Sequence, residues 1–129
     1  MPLQLTLIAT ALLPLTTGFA AFLLGPRAIF GARGWDAPIE SEVRYLSVWW
    51  FASGVALLRA VPRVEDEART VRRVGLLLAL GGVGRLLAMR AAGRPHPIMV
   101  GATAVEIALP ALLISWQARV ARQAGERVR

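Results

Sequence analysis

A chain of 129 residues that is 56% hydrophobic, with a pI near 11.7 and a mean hydropathy of +0.55, is too apolar for a soluble domain of its size. The absence of cysteine excludes disulfides, thiolate metal sites and cysteine nucleophiles. The net charge of +7 comes from fifteen arginines and no lysine, spread mostly over short segments between apolar blocks, which fits membrane topology better than a nucleic-acid surface.

The first apolar block, Leu3 to Leu24, carries no charge and is as long as a bilayer core requires, since roughly 20 helical residues cross about 30 Å. No basic residue precedes it and it exceeds an h-region, so it reads as a span (3–24) rather than a signal peptide. Gly25, Pro26, Gly31 and Gly34 break the helix. Asp36 then offers a cap and Pro38 a first-turn proline for a second span, 37–60, with Glu40, Glu42 and Arg44 in its opening turns and Arg59 at its far end. Beyond Pro62 the segment from Arg63 to Arg73 carries both signs of charge. Its Glu65, Asp66 and Glu67 suit the N-terminus of a helix that leads into a third span, 74–92. Gly93-Arg94-Pro95-His96-Pro97 is a stiff, short turn, and a fourth span, 97–116, precedes a basic tail. The predicted architecture is all-α: one domain, 1–129, forming an integral membrane four-helix bundle of antiparallel, up-down topology.

The arginines assign the sides. Arg59, Arg63, Arg69, Arg72, Arg73, Arg119, Arg122, Arg127 and Arg129 would share a face with both termini, against Arg27, Arg33, Arg90 and Arg94 on the other. The positive-inside rule then predicts both termini in the cytoplasm of a bacterial inner membrane. Trp116 and Trp35 fall at opposite interfaces.

Arg44, Arg85 and Glu106 lie inside apolar sequence, where an isolated charge costs about 2.5 to 3.5 kcal/mol on insertion scales and needs a partner. From the turn near Arg94, Arg85 lies about nine residues back and Glu106 about twelve forward, so their depths differ by less than one helical turn and an ion pair is expected. Leu78, Gly81, Gly82, Ala88 and Ala92 share the face of Arg85, and the glycines and alanines among them suit close helix packing in lipid. Ala102, Thr103 and Pro110 share that of Glu106, and Pro110 leaves the Glu106 carbonyl without its usual helical donor. Pro14 does the same for Thr10. Arg44 shares a face with Glu40, Ser47, Phe51 and Gly54 and is expected to point inward, in the same half of the membrane as Arg85. Glu42, about 200° around the helix from Arg44, is left undecided, and Glu40 with Arg44 has the spacing of a local helix pair.

The candidate ligand-binding set is therefore Arg44, Arg85 and Glu106, with Glu42 and Glu40 beside them. Two guanidiniums facing one well-placed acid imply an anionic or polar ligand. Buried ion pairs that only fix helix register are the bland alternative. His96 between prolines reads as an interfacial residue, Trp49 and Trp50 as lipid-facing or packing residues, and Gly81-Gly82-x-Gly84 as a packing surface, since no strand precedes it. No Ser-His-Asp set, zinc spacing or Walker sequence occurs, so no cofactor or metal is expected and the enzyme reading ranks third.

Glu42-x-Arg44-Tyr45 before an apolar span with Gly54, then Gly81-Gly82-x-Gly84-Arg85-Leu86, Gly93-x-Pro95 and Glu106 within a span, resembles a domain-of-unknown-function family of small bacterial four-span membrane proteins. The resemblance covers nearly the whole chain. It implies a compact four-helix membrane domain without an established activity, and places Arg44, Arg85 and Glu106 on the family's polar pattern.

The expected function is to bind or pass a small anionic or polar ligand in an outer-half pocket, with Glu106 balancing charge or carrying a proton. The alternative is an accessory or structural subunit of a larger membrane complex, or a homo-oligomer, packed through small-residue faces. Lipid is the one partner implied in every case, and nucleic acid is not expected.

Overall fold

The computed structural model describes residues 2–64 and 66–127, so Glu65 and Arg129, used above, lie outside the described residues. Four helices follow one another: α1 (Pro2–Leu24), α2 (Ala37–Ala60), α3 (Ala68–Ala92) and α4 (Pro97–Arg127), with 3-10 turns at Gly25–Ala28 and Val61–Arg63 and no strand among the described residues. Six of the eight predicted helix ends hold to within one residue. Asp36 caps α2, its carboxylate accepting from the Ile39 N–H at 3.2 Å, with Pro38 in the first turn. Gly93, at φ +88°, ends α3 in a conformation that suits only glycine. Two boundaries differ. The third helix begins at Ala68, so Arg69, Arg72 and Arg73 are helical. The fourth runs on to Arg127, eleven residues beyond the expected span, because Ala, Arg and Gln are good helix formers and only one glycine interrupts them.

Three helical stretches are long and apolar enough to cross a membrane: Leu3–Ala28, Ala68–Ala92 and Pro97–Val120. Helix α2 is as long as they are, yet its Glu40, Glu42, Arg44 and Arg59 keep it out of that group.

The helices alternate in direction and pair as two hairpins, α1 with α2 and α3 with α4. Glycine sets the closeness within each. A Cβ on Gly18 would lie 2.9 Å from the Phe51 nitrogen, and one on Gly54 would lie 2.7 Å from Leu15 Cγ and 2.9 Å from the Ala11 carbonyl. In the second hairpin a Cβ on Gly82 would come within 2.7 Å of Ile107, and one on Gly75 within 3.2 Å of Ile114. Backbones that approach this closely gain van der Waals contact, which replaces hydrophobic collapse as the adhesive in lipid.

The two hairpins join at one end. Leu3, Leu7 and Ala11 of α1, Leu57 of α2, Val64 of the turn, Val71, Val74 and Leu78 of α3 and Leu113 of α4 form the buried core. All lie toward the end that carries the N-terminus and the α2–α3 turn. Two glutamines tie that turn down: Gln4 Nε2 donates to the Val61 carbonyl at 3.2 Å, and the buried Gln117 Nε2 to that of Val64 at 3.1 Å. Toward the opposite end, which carries the α1–α2 and α3–α4 connections, no such core forms among the described residues, and space opens between the hairpins.

Candidate functional site

Arg85 and Glu106 meet in that space. Arg85 lies seven residues before the end of α3 and Glu106 nine after the start of α4, depths of about 10 and 13 Å from the hairpin end at 1.5 Å per residue. Arg85 Nε donates to Glu106 Oε2 at 2.8 Å, the ion pair the spacing predicts. The contact is end-on, through one nitrogen and one oxygen. Glu106 is 6% exposed and Arg85 36%, so the acid is enclosed and the guanidinium reaches outward. Arg85 Nη1 has only the Met99 sulfur, 4.0 Å away, as a further partner, and neither Arg85 Nη2 nor Glu106 Oε1 has a partner among the described residues.

Cavities flank the pair on both sides. One of about 280 Å³ is walled by α1, the α1–α2 connection, α2, α3 and α4, including Thr17, Phe30, Trp50, Met99 and Ala102. Another of about 390 Å³ lies on the α2–α3 side, where Ser47, Trp50, Leu77 and Gly81 meet Arg85 and Glu106. Both are mainly apolar with a polar spot at the ion pair. The arrangement can enclose the polar group of an amphiphile while its apolar part stays against leucine, tryptophan and methionine.

Arg44 is not part of this cluster. Its Nε and Nη2 donate to Glu40 Oε1 at 2.9 and 2.6 Å, and its Nη1 to the carbonyls of Phe22 and Leu23 at 2.6 and 2.9 Å. Those carbonyls belong to the last turn of α1, which has no intrahelical donor for them, so Arg44 caps the neighbouring helix. Glu40 also accepts from Trp35 Nε1 at 2.8 Å, and Arg27 lies over the Trp35 ring at 5.8 Å. Gly25 must be glycine here twice over: its φ is +61°, and a Cβ would stand 2.5 Å from Glu40 Oε1. The expected surplus of positive charge is thereby removed, because each inward arginine has its own acid. Glu42 is exposed and lines neither cavity. Of the five sequence-derived candidates, the structure brings Arg85 and Glu106 together, sets Arg44 with Glu40 in a separate latch, and leaves Glu42 outside both.

Trp50 is the residue that sequence reasoning missed. It lines both cavities, and its indole N–H donates to Thr17 Oγ1 at 2.8 Å, joining α2 to α1 beside the ion pair. Trp49, one position earlier and about 100° around the helix, is 64% exposed and packs edge-on against Tyr45. The adjacent indoles carry no signal for which faces inward. Within the glycine cluster, Gly82 alone is packed; Gly81 and Gly84 meet nothing within 4 Å, so the expected packing surface is one residue wide. His96 stacks on Phe30 with 6.0 Å between ring centres, and its Nδ1 accepts from the Ile98 N–H at 3.3 Å.

Helices of membrane length grouped around a buried glutamate and its partly exposed arginine partner define an all-helical membrane protein with a polar site between its helices. The chain belongs to the family described as Domain of unknown function (DUF4345), whose model matches residues 2–117. The match takes in all four helices and ends just after Trp116, leaving only the basic extension of α4 outside it. No curated protein and no solved structure matches the chain.

Proposed function

We propose that the protein crosses a bacterial inner membrane four times, with both termini in the cytoplasm, and binds or passes a small polar or anionic ligand at Arg85 and Glu106. Helix α2 counts as the fourth span because it stays against α1 from Arg44, at the Phe22 and Leu23 carbonyls, through Trp50, at Thr17, to Gly54, at Ala11. Its two arginines and Glu40 are no obstacle, since Arg44 and Glu40 neutralise each other and Arg59 lies one residue from its end. Nine arginines on the terminal side against four on the other support the orientation.

One observation carries the ligand reading: the ion pair uses a single nitrogen and a single oxygen, and its remaining donors and acceptor border apolar cavities. A pair serving only helix register would be expected to close bidentately and be packed over. Native mass spectrometry of the protein purified in mild detergent tests it. Co-purifying lipids or metabolites are expected to be depleted in Arg85→Gln and retained in Arg33→Gln, whose arginine lies in the α1–α2 connection. Identical profiles would refute the reading. Reporter fusions at both termini are expected to score as cytoplasmic.

The second reading, an accessory subunit or homo-oligomer, draws support from Gly84 and Gly101, which are exposed on α3 and α4 with open space above them, as a neighbouring helix would require. A particle mass in detergent above that of one chain, collapsing on Gly84→Leu, would favour it.

A further inference from the structure

A separate cavity of about 300 Å³ opens at the mouth of the α3–α4 hairpin, away from the Glu106 carboxylate. Arg85 stands at its inner end and Arg94 at its rim, with Met89, Met99 and Thr103 between them, and no acid among the described residues lines it. Arg94 is exposed and has no hydrogen-bond or ion-pair partner among the described residues. Arg85 turns its Nε toward Glu106, which leaves the Nη side of the guanidinium for this cavity, where its one contact is the Met99 sulfur at 4.0 Å. A thioether is a weak acceptor, so a cationic N–H in an apolar wall is left short of a partner. Thr103 cannot supply a second donor, because its hydroxyl is given to the Met99 carbonyl at 2.8 Å. The methionines are flexible and polarisable and can move aside for an oxygen.

We propose that this mouth binds a phosphate group, held between Arg94 at the rim and the Nη atoms of Arg85 below. Arg94, which has no acid partner among the described residues, supplies the net positive charge, and Arg85, whose Nε is held by Glu106, still offers its Nη atoms; each guanidinium can meet phosphate oxygens with two N–H donors. The site lies at the hairpin end, within about 10 Å of where α3 ends, so the phosphate is that of a phospholipid headgroup or a soluble phosphate entering from outside the bilayer. The inference rests on the proposed ligand-binding role of Arg85 and adds the ligand's class and a second residue, Arg94.

The test uses the full chain in nanodiscs of phosphatidylglycerol and, in parallel, in detergent with inorganic phosphate. Native mass spectrometry reads lipid retention after detergent exchange, and calorimetry reads phosphate binding. Loss of one charge-assisted contact is expected to weaken retention about ten-fold in Arg94→Gln. Arg33→Gln is expected to leave it unchanged. Retained phosphatidylglycerol that excess inorganic phosphate does not displace identifies a lipid site, and calorimetric binding of phosphate without lipid retention identifies a soluble one; either outcome, if lost in Arg94→Gln, supports the proposal. Equal binding in Arg94→Gln and Arg33→Gln overturns it. In that case, a ligand still lost in Arg85→Gln leaves the central cleft reading standing, whereas a ligand kept in both arginine variants refutes the two together. Arg94 is exposed and beyond the helix, so its substitution leaves the fold intact, and an unchanged thermal midpoint checks this directly.

Discussion

The unequal enclosure of Arg85 and Glu106 predicts unequal costs for breaking their pair. Removing the arginine, as in Arg85→Leu, leaves a carboxylate that is 6% exposed facing apolar walls, and breaking a buried pair from this side is expected to cost about 3 to 5 kcal/mol. Removing the acid, as in Glu106→Ala, leaves a guanidinium that is 36% exposed and borders open cavities, so water can reach it and about 1 to 3 kcal/mol is expected. The double change Arg85→Leu with Glu106→Leu strands neither charge and is expected to cost less than the sum of the singles, with a coupling of at least about 1 kcal/mol. Unfolding of the purified protein in dodecyl maltoside by titration with a denaturing detergent, followed by tryptophan fluorescence, gives all three values. Additive single effects would mean that the contact contributes nothing, and a costlier Glu106→Ala would mean that the exposure argument has the wrong sign.

The glycine contacts predict that Gly54→Val, which drives a branched side chain against Leu15 and the Ala11 carbonyl, destabilises by about 2 kcal/mol or more, while Gly84→Val, facing open space, changes the same unfolding midpoint little. In the latch, Arg44→Gln is expected to free the last carbonyls of α1 and, since the pair with Glu40 is partly exposed, to cost no more than about 1 to 2 kcal/mol; limited proteolysis should show faster cleavage between Gly25 and Asp36, and unchanged cleavage would remove its capping role. Trp50→Phe keeps an aromatic side chain but deletes the N–H to Thr17 and part of the indole's volume, so ligand retention is expected to fall while stability drops by about 1 kcal/mol or more; native mass spectrometry and the unfolding titration read the two separately.

The Arg85–Glu106 contact was legible because the turn between α3 and α4 is short. A stiff connection fixes the registration of two antiparallel helices, and a rise of 1.5 Å per residue then converts sequence separation into depth. The cap at Asp36 was legible for the same local reason, since its partner lies three residues away. The role of Arg44 was not, because its acceptors are main-chain carbonyls, which look identical in every residue; helical periodicity gave its face but not its neighbour.

The amino-acid sequence by itself determined four helices, most of their ends and the pairing of Arg85 with Glu106, all consequences of apolar run length, local capping and helical rise; it read all four as spans, of which three are long and apolar enough to cross a membrane. Tertiary structure alone decided that Arg44 caps the Phe22 and Leu23 carbonyls of α1, that Trp50 rather than Trp49 lines the site, and that Gly82 rather than Gly81 is packed. It also decided that the hairpins join at the terminal end and part around Arg85. Periodicity orders residues around one helix axis, but which face meets a neighbour, lipid or empty space is set by how two hairpins rotate against each other, and that rotation is fixed only when their side chains pack.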